Sequence, residues 1–315
     1  YVLSYEEHDR GALYEFDAPT RRLGPALFVP PAGEINELIW SPDGNTLTGV
    51  GYEDTEQRYH WFDPAEAALR AKLQASFPGL MVRVTSSSQD GQVRLVWVGS
   101  DREPGVYFIL DLKAGSMVQF KRVRDGIDSR LMAPMKPIRF TARDGLEIHG
   151  YLTVPAAHAG KPGPLVVLPH GGPFGVRDSL GFDPEVQFLA SRGYAVLQVN
   201  YRGSGGFGHE FLRQGRRQWG RAMQDDLTDG VKWAIAQGFA DPSRIAICGA
   251  SYGGFAAMAG VTLTPELYRC AVNYLGPIDL EITGRARGAD AWLRMDDFDF
   301  RTEWIGETKE YRDAG

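Results

Sequence analysis

The chain of 315 residues holds two cysteines, so a disulfide framework cannot be what carries its fold. Neither cysteine nor any of the six histidines falls at the spacing that holds zinc, and neither a metal nor a cofactor is expected. Lysine is scarce, seven against 27 arginines, and the formal net charge is −6. With no basic stripe in the sequence, the electrostatic footprint of a nucleic-acid binder is lacking. No apolar run approaches the length that crosses a bilayer, which argues against a membrane partner. No signal-peptide pattern opens the chain, but it starts at Tyr1 rather than Met. A targeting segment ahead of it therefore stays open, as do cytoplasm and periplasm as compartments. Histidine is lacking in one place that matters below: none follows His209.

Against these absences, 43% of the residues are apolar, enough for a packed core, and the length allows two domains. The most informative stretch is Gly249-Ala250-Ser251-Tyr252-Gly253. It follows the apolar run Ile245 to Cys248 and precedes the small-residue run Gly254 to Ala259, which reads as strand, sharp turn, helix. A serine on such a turn stands with its hydroxyl exposed above a parallel sheet, and the glycines avoid a clash where helix meets strand. This is the nucleophile-elbow pattern, and its chemistry is acyl transfer through a serine ester. Alone the five-residue pattern is weak in a chain with 38 glycines. A second signature strengthens it: the run Leu165 to Pro169, then His170-Gly171-Gly172-Pro173, 81 residues upstream of the serine. A strand followed by His-Gly-Gly supplies one backbone N–H of an oxyanion hole, and the other is the N–H after the nucleophile, that of Tyr252.

The first 133 residues repeat. Ser41-Pro42-Asp43-Gly44-Asn45 and Ser88-Gln89-Asp90-Gly91-Gln92 place the same Asp-Gly turn 47 residues apart. A closing Asp recurs at Asp17, Asp63 and Asp111. Short strands alternating with such turns at a fixed period predict β-propeller blades, in preference to a β-sandwich, which has no reason to repeat. About three blades are present, too few to close a ring, so further blades are expected before Tyr1. Polar Arg122 to Gly126 and the stiff Pro134-Met135-Lys136-Pro137 mark a boundary near residue 134.

From 134 to 315 strands and helices alternate, which predicts a doubly wound, mostly parallel sheet. Buried strands are expected at Leu165 to Leu168 and Tyr194 to Val199, and a helix over Pro184 to Arg192 between them. Asp225-Asp226 is expected to open a long helix through Gly238, with the acids favouring its dipole. Cys248 and Cys270 are expected as small buried residues on neighbouring strands.

Four segments together resemble the prolyl oligopeptidase family of serine peptidases, with the acylaminoacyl-peptidase and dipeptidyl-peptidase branch most alike. They are Arg143 to Tyr151 (RDGLEIHGY), His170-Gly171-Gly172-Pro173, Asn200 to Gly208 (NYRGSGGFG) and Gly249 to Gly254 (GASYGG). The resemblance implies a partial propeller followed by a partial α/β-hydrolase domain, and a peptidase acting on short peptides. It implies Ser251 as nucleophile, the N–H groups of Gly172 and Tyr252 as oxyanion hole, and a structural role for the Asn200–Gly208 loop. It leaves homo-oligomerisation open.

A serine nucleophile in this fold needs an acid and then a histidine after it in the chain. No histidine follows Ser251, and two further strand units of about 30 residues each would be needed to present the pair. The triad acid and base are therefore expected beyond Gly315, and the chain as it stands is expected to keep only residual catalysis. Of the acids that follow (Asp279, Asp290, Asp296, Asp297 and Asp299), Asp279 is the least unlikely substitute. His170 is expected to orient backbone in the oxyanion loop, and His209 to lie on a helix surface. Glu6-Glu7 invites comparison with acidic sites that hold a peptide amino terminus, but a hairpin turn position is the better reading. An esterase or lipase, or a non-catalytic binding scaffold, are the competing functions.

Overall fold

The structure, a computed structural model, describes residues 1–158, 160–278 and 304–305. By internal contacts it divides into two compact units, Tyr1–Lys136 with Ser179–Arg192, and Pro137–Asp178 with Gly193–Gly315.

The first unit is built from three small antiparallel sheets. The first holds β1 (Val2–Ser4), β2 (Ala12–Asp17) and β3 (Arg22–Phe28). The second holds β4 (Glu34–Trp40), β5 (Leu47–Glu53) and β6 (Gln57–Trp61). After helix α1 (Pro64–Ser76) come β7 (Met81–Ser87), β8 (Val93–Gly99), β9 (Val106–Asp111) and β10 (Ser116–Arg122), a four-stranded meander. The repeat seen in the sequence is chemical as well as positional. In both Asp-Gly turns the serine hydroxyl donates to the aspartate carboxylate. That hydroxyl then accepts a backbone N–H five residues on, Thr46 to Ser41 and Val93 to Ser88, each at 2.9 Å. These bonds satisfy the turn's backbone groups and close each hairpin at the same place.

A unit made only of short strands is corrected by α1. Where β3 and β10 continue the chain after Asp17 and Asp111, a helix follows Asp63 instead. The reason is local: the Asp63 carboxylate caps Ala65 N–H at 2.8 Å, Pro64 occupies the first helical turn, and Ala, Leu, Arg and Lys fill the next positions. Glu66 on α1 binds Arg70 at 2.7 Å and Arg94 of β8 at 3.3 Å, while Leu73 packs with Val96 and Val98.

The second unit is a six-stranded sheet in the order β11-β12-β14-β13-β15-β16. Its strands are β11 (Met135–Thr141), β12 (Glu147–Thr153), β13 (Gly163–Val167), β14 (Ala195–Asn200), β15 (Ala240–Ala250) and β16 (Cys270–Tyr274). β14, β13, β15 and β16 run parallel, and β12 pairs antiparallel with β14. Its helices are α3 (His209–Arg213), α4 (Ala222–Ala236) and α5 (Tyr252–Leu263), whereas α2 (Pro184–Ser191), between β13 and β14 in the chain, belongs to the first unit. α4 packs on β14 and β15, and α5 on β15 and β16, over a core that includes Leu165, Leu197, Ile245, Met223 and Leu227. From β13 the chain steps to β14 on one side and then returns past β13 to β15 on the other. The strand order thus reverses at β13. In open α/β sheets that switch point is where a crevice forms beyond the strands' carboxyl ends.

Two local expectations are corrected here. α4 begins at Ala222, so Asp225 lies in its first turn while Asp226 lies deeper and is fully buried. Cys248 and Cys270 do sit on adjacent strands, but Cys248 is half-buried and Cys270 exposed, because β16 is the outermost strand of the described sheet. Among the described residues no helix is long and apolar enough to cross a membrane.

Candidate active site

β15 delivers the chain to Ser251 and α5 starts with the next residue. Ser251 adopts φ 55° and ψ −122°, a left-handed backbone that a residue with a side chain rarely takes. Its N–H donates to the carbonyl of Tyr274 at the end of β16 (2.9 Å), and its carbonyl accepts from Gly254 and Phe255. The backbone on both sides thus holds the turn, while the hydroxyl forms no cap on α5. Ser251 stands at the amino end of a three-turn helix, where unpaired N–H groups and the helix dipole favour negative charge.

Two glycines allow this close approach. A Cβ on Gly253 would lie 2.2 Å from the carbonyl oxygen of Pro169, and one on Gly249 would lie 2.5 Å from the backbone of Gly253. The first distance shows more than a steric limit: the start of α5 is pressed directly against the His170–Pro173 loop that leaves β13. A Cβ on Gly171 would fall 3.4 Å from the Cβ of Ser251. Gly171 and Ser251, 80 residues apart in sequence, therefore meet at the switch point of the sheet, and Gly172 and Tyr252 are the next residues along the two segments.

The loop is held from behind. The His170 ring stacks on Tyr201 with centroids 4.4 Å apart. The Tyr201 hydroxyl donates to the His170 carbonyl at 2.8 Å. His170 Nδ1 lies 2.8 Å from the Gly171 carbonyl oxygen, and Nε2 lies 2.9 Å from Ser204 Oγ. Burial, reinforced by Arg177 and opposed by the Gly171 carbonyl, pushes the imidazole down to about 4, so it is neutral near pH 7. Backbone bonds lace the two loops together, Gly175 N–H to Gly203 O at 3.0 Å and Gly205 N–H to Val176 O at 3.1 Å.

The Asn200–Gly208 loop is in turn anchored by Arg202. Its Nε and Nη2 bind the buried Asp226 of α4 at 2.9 and 2.7 Å, and its Nη1 binds Asp144 at 2.7 Å. Burial pushes Asp226 up to about 6 against the pull of Arg202, whereas the Arg202 hydrogen bond holds Asp144 below the usual carboxylate range. Asp226 is thus an anchor for a loop, not an end charge of a helix. Arg143 ties the same region to Asp225 and Asp229 of α4, at 2.6 and 2.8 Å. In front of the loop Phe174 meets Trp304, ring centroids 5.0 Å apart, an aromatic pair that sequence reading did not pick out.

Among the described residues no histidine is engaged with Ser251; His158 ends the short turn Ala156–His158, beside Gly163. His170 is bound as above, His149 stacks on Phe207, and His209 is exposed at the start of α3. In the first unit His60 stacks on Phe28, and His8, with Glu6 and Glu7, lies in the connection between β1 and β2. Glu7 accepts a hydrogen bond from Tyr14 at 3.3 Å. Asp279, Asp290, Asp296, Asp297 and Asp299 lie outside the described residues. Among the described residues no group of three His, Cys, Asp or Glu side chains could hold a metal ion.

Comparison with known proteins finds similarity to peptidases. Residues 180–314 match the sequence model of the prolyl oligopeptidase family. The dipeptidyl aminopeptidase BIII of Pseudoxanthomonas mexicana is 37% identical over 254 residues, covering 78% of this chain and 37% of that protein. The dipeptidyl peptidase family member 6 of Caenorhabditis elegans is 33% identical over 303 residues, covering 89% and 40%. Among solved structures, a Mycobacterium tuberculosis puromycin-hydrolyzing peptidase superposes with a TM-score of 0.75 at 25% identity, over 100% of this chain and 48% of that one. The chain therefore spans about two-fifths of the length of these two curated relatives.

Proposed function

We propose, because this chain belongs to the prolyl oligopeptidase family, that the intact protein is a serine peptidase of short peptides and that Ser251 is its nucleophile. The observation that carries this reading is the positive-φ serine at the end of β15, standing against the His170–Pro173 loop at the switch point of the sheet. In this reading Ser251 Oγ attacks the scissile carbonyl and forms an acyl-enzyme, which water then hydrolyses. The N–H groups of Gly172 and Tyr252 receive the developing oxyanion, each worth about 2.7–4 kcal/mol of transition-state stabilisation. The step needs a base that takes the serine proton and an acid that orients that base, and without them only a residual rate is expected. Residues 1–133 form part of a β-propeller and residues 134–315 part of an α/β-hydrolase domain, the propeller limiting access to short chains. The naming of a relative as a dipeptidyl aminopeptidase supports release of short units from a peptide terminus.

The test is a fluorophosphonate titration of the intact protein with mapping of the adduct, run beside hydrolysis of matched peptide amides and esters. An adduct on Ser251 with amide cleavage is the expected result. Ester cleavage with no amide cleavage would make the protein an esterase, and no adduct would make it a binding scaffold.

A further inference from the structure

We propose that Asn273 is a positioning residue for the serine turn: its side-chain amide closes the turn that leaves β16, keeps Leu275 in a left-handed backbone, and so keeps the Tyr274 carbonyl on the Ser251 N–H. The inference rests on the acylation reading above and deepens it by naming what holds the serine from the side of β16.

β16 ends beside the turn that carries Ser251. In register Gly249 faces Asn273 and Ala250 faces Tyr274, so the last two residues of β16 lie alongside the last two of β15. Just beyond them the Ser251 N–H donates to the Tyr274 carbonyl at 2.9 Å. That carbonyl comes directly before Leu275, and Leu275 is the weak point. Its φ is 57°, a region where a side chain crowds its own backbone. Its side chain is 82% exposed, so burial of the leucine is not what holds it there. A leucine left to itself leaves this region, and the planar peptide that joins it to Tyr274 turns with it.

Asn273 supplies the restraint. The Gly276 N–H donates to Asn273 Oδ1 at 2.6 Å, and Asn273 Nδ2 donates to the Gly276 carbonyl at 3.3 Å. The pair fixes which way the amide faces, since the reverse would set donor against donor and acceptor against acceptor. The two bonds span Tyr274 and Leu275 and tie both ends of the turn to one side chain. They also seat the turn on α5. A Cβ on Gly254 would clash with Asn273 Oδ1 and lie 2.9 Å from Gly276 Cα. Gly254 in turn donates its N–H to the Ser251 carbonyl at 2.9 Å. The serine is thus held through its N–H on one side and its carbonyl on the other, and Asn273 borders both holds.

The experiment measures the loss caused by Asn273→Ala in two backgrounds of the intact protein, wild type and Leu275→Gly. In the first, kcat and the rate of fluorophosphonate labelling of Ser251 should both fall about 5- to 30-fold, the population shift that the left-handed penalty of a leucine allows, with KM changed less than about threefold. In the second, the same substitution should lower them less than about threefold, because glycine adopts the left-handed region without a clamp. A side chain that merely filled space would give the same loss in both. Amide hydrogen exchange needs no activity. It should find the Ser251 N–H opening about 5- to 30-fold more often in Asn273→Ala, and less than about threefold more often when the same change is made in Leu275→Gly. Equal losses in the two backgrounds, a loss carried by KM, or unchanged exchange at Ser251 would each overturn the inference. So would failure of Asn273→Ala to fold in both backgrounds, since the residue would then serve the whole fold. Should wild-type Ser251 take no fluorophosphonate, the acylation reading fails by itself, and the exchange measurement decides the role of Asn273.

Discussion

Replacing Ser251 by glycine should stabilise the protein while removing the nucleophile proposed for it. The serine sits at φ 55°, where a Cβ crowds its own backbone. Holding a non-glycine residue in such a region costs on the order of 1–3 kcal/mol. Glycine escapes that strain but adds unfolded-state entropy of about 0.5–1 kcal/mol. Taking the middle of both ranges, the net gain for Ser251→Gly is about 1 kcal/mol, or roughly 2–4 °C in Tm for a unit of this size. Ser251→Ala is the control. It also lacks the hydroxyl, but it keeps the Cβ and the strain, so it should stay close to wild type. Denaturant unfolding of the three proteins, followed by the fluorescence of the second unit's tryptophans, measures the differences. If Ser251→Gly proves equal to or less stable than Ser251→Ala, the elbow is not strained and the argument from backbone geometry fails.

Two further outcomes can be stated. Gly253→Ala should destabilise the second unit by about 2–4 kcal/mol, since its Cβ would meet the Pro169 carbonyl oxygen at 2.2 Å and neither backbone can withdraw cheaply; unchanged thermal unfolding would contradict this. The pH dependence of stability should carry a His170 component, because its folded value of about 4 lies below the ordinary 6.5. Between those values the unfolded chain binds the proton and the folded one does not, so the contribution is complete above about pH 6.5 and lost as pH falls toward 4. Its size is up to about 3 kcal/mol. It is read as the difference between wild-type and His170→Asn stability curves, in which the opposite tendency of Asp226, raised to about 6, cancels. Parallel curves would refute it.

Much of the site was legible because its signals are local. Gly249, Ser251 and Gly253 announce a tight strand-to-helix turn within five residues, and His170-Gly171-Gly172 follows its strand directly. Helix α2 could be read from Asp183 and Pro184, which cap it in the structure. Helix α1 carries the same signature at Asp63 and Pro64, inside a repeat whose other units continue as strands.

Other features could not be read at all. That Asp226 grips Arg202 depends on α4 crossing behind a loop 24 residues away in the chain. That Ser204 meets His170 depends on β14 lying beside β13, which brings residues 34 apart into hydrogen-bond range. The exposure of Cys270 follows from its strand being outermost among the described strands, a property of strand order and not of the strand's composition.

By itself the sequence determined the turn chemistry, the repeat, the alternation of strands and helices, and the residues flanking the serine, because each is set by neighbours within one turn or one strand. Only the tertiary structure decided which carbonyl His170 holds, where the buried charges pair, and how closely Gly171 approaches Ser251. Those contacts join segments from different strands, and no local preference encodes which strands lie side by side.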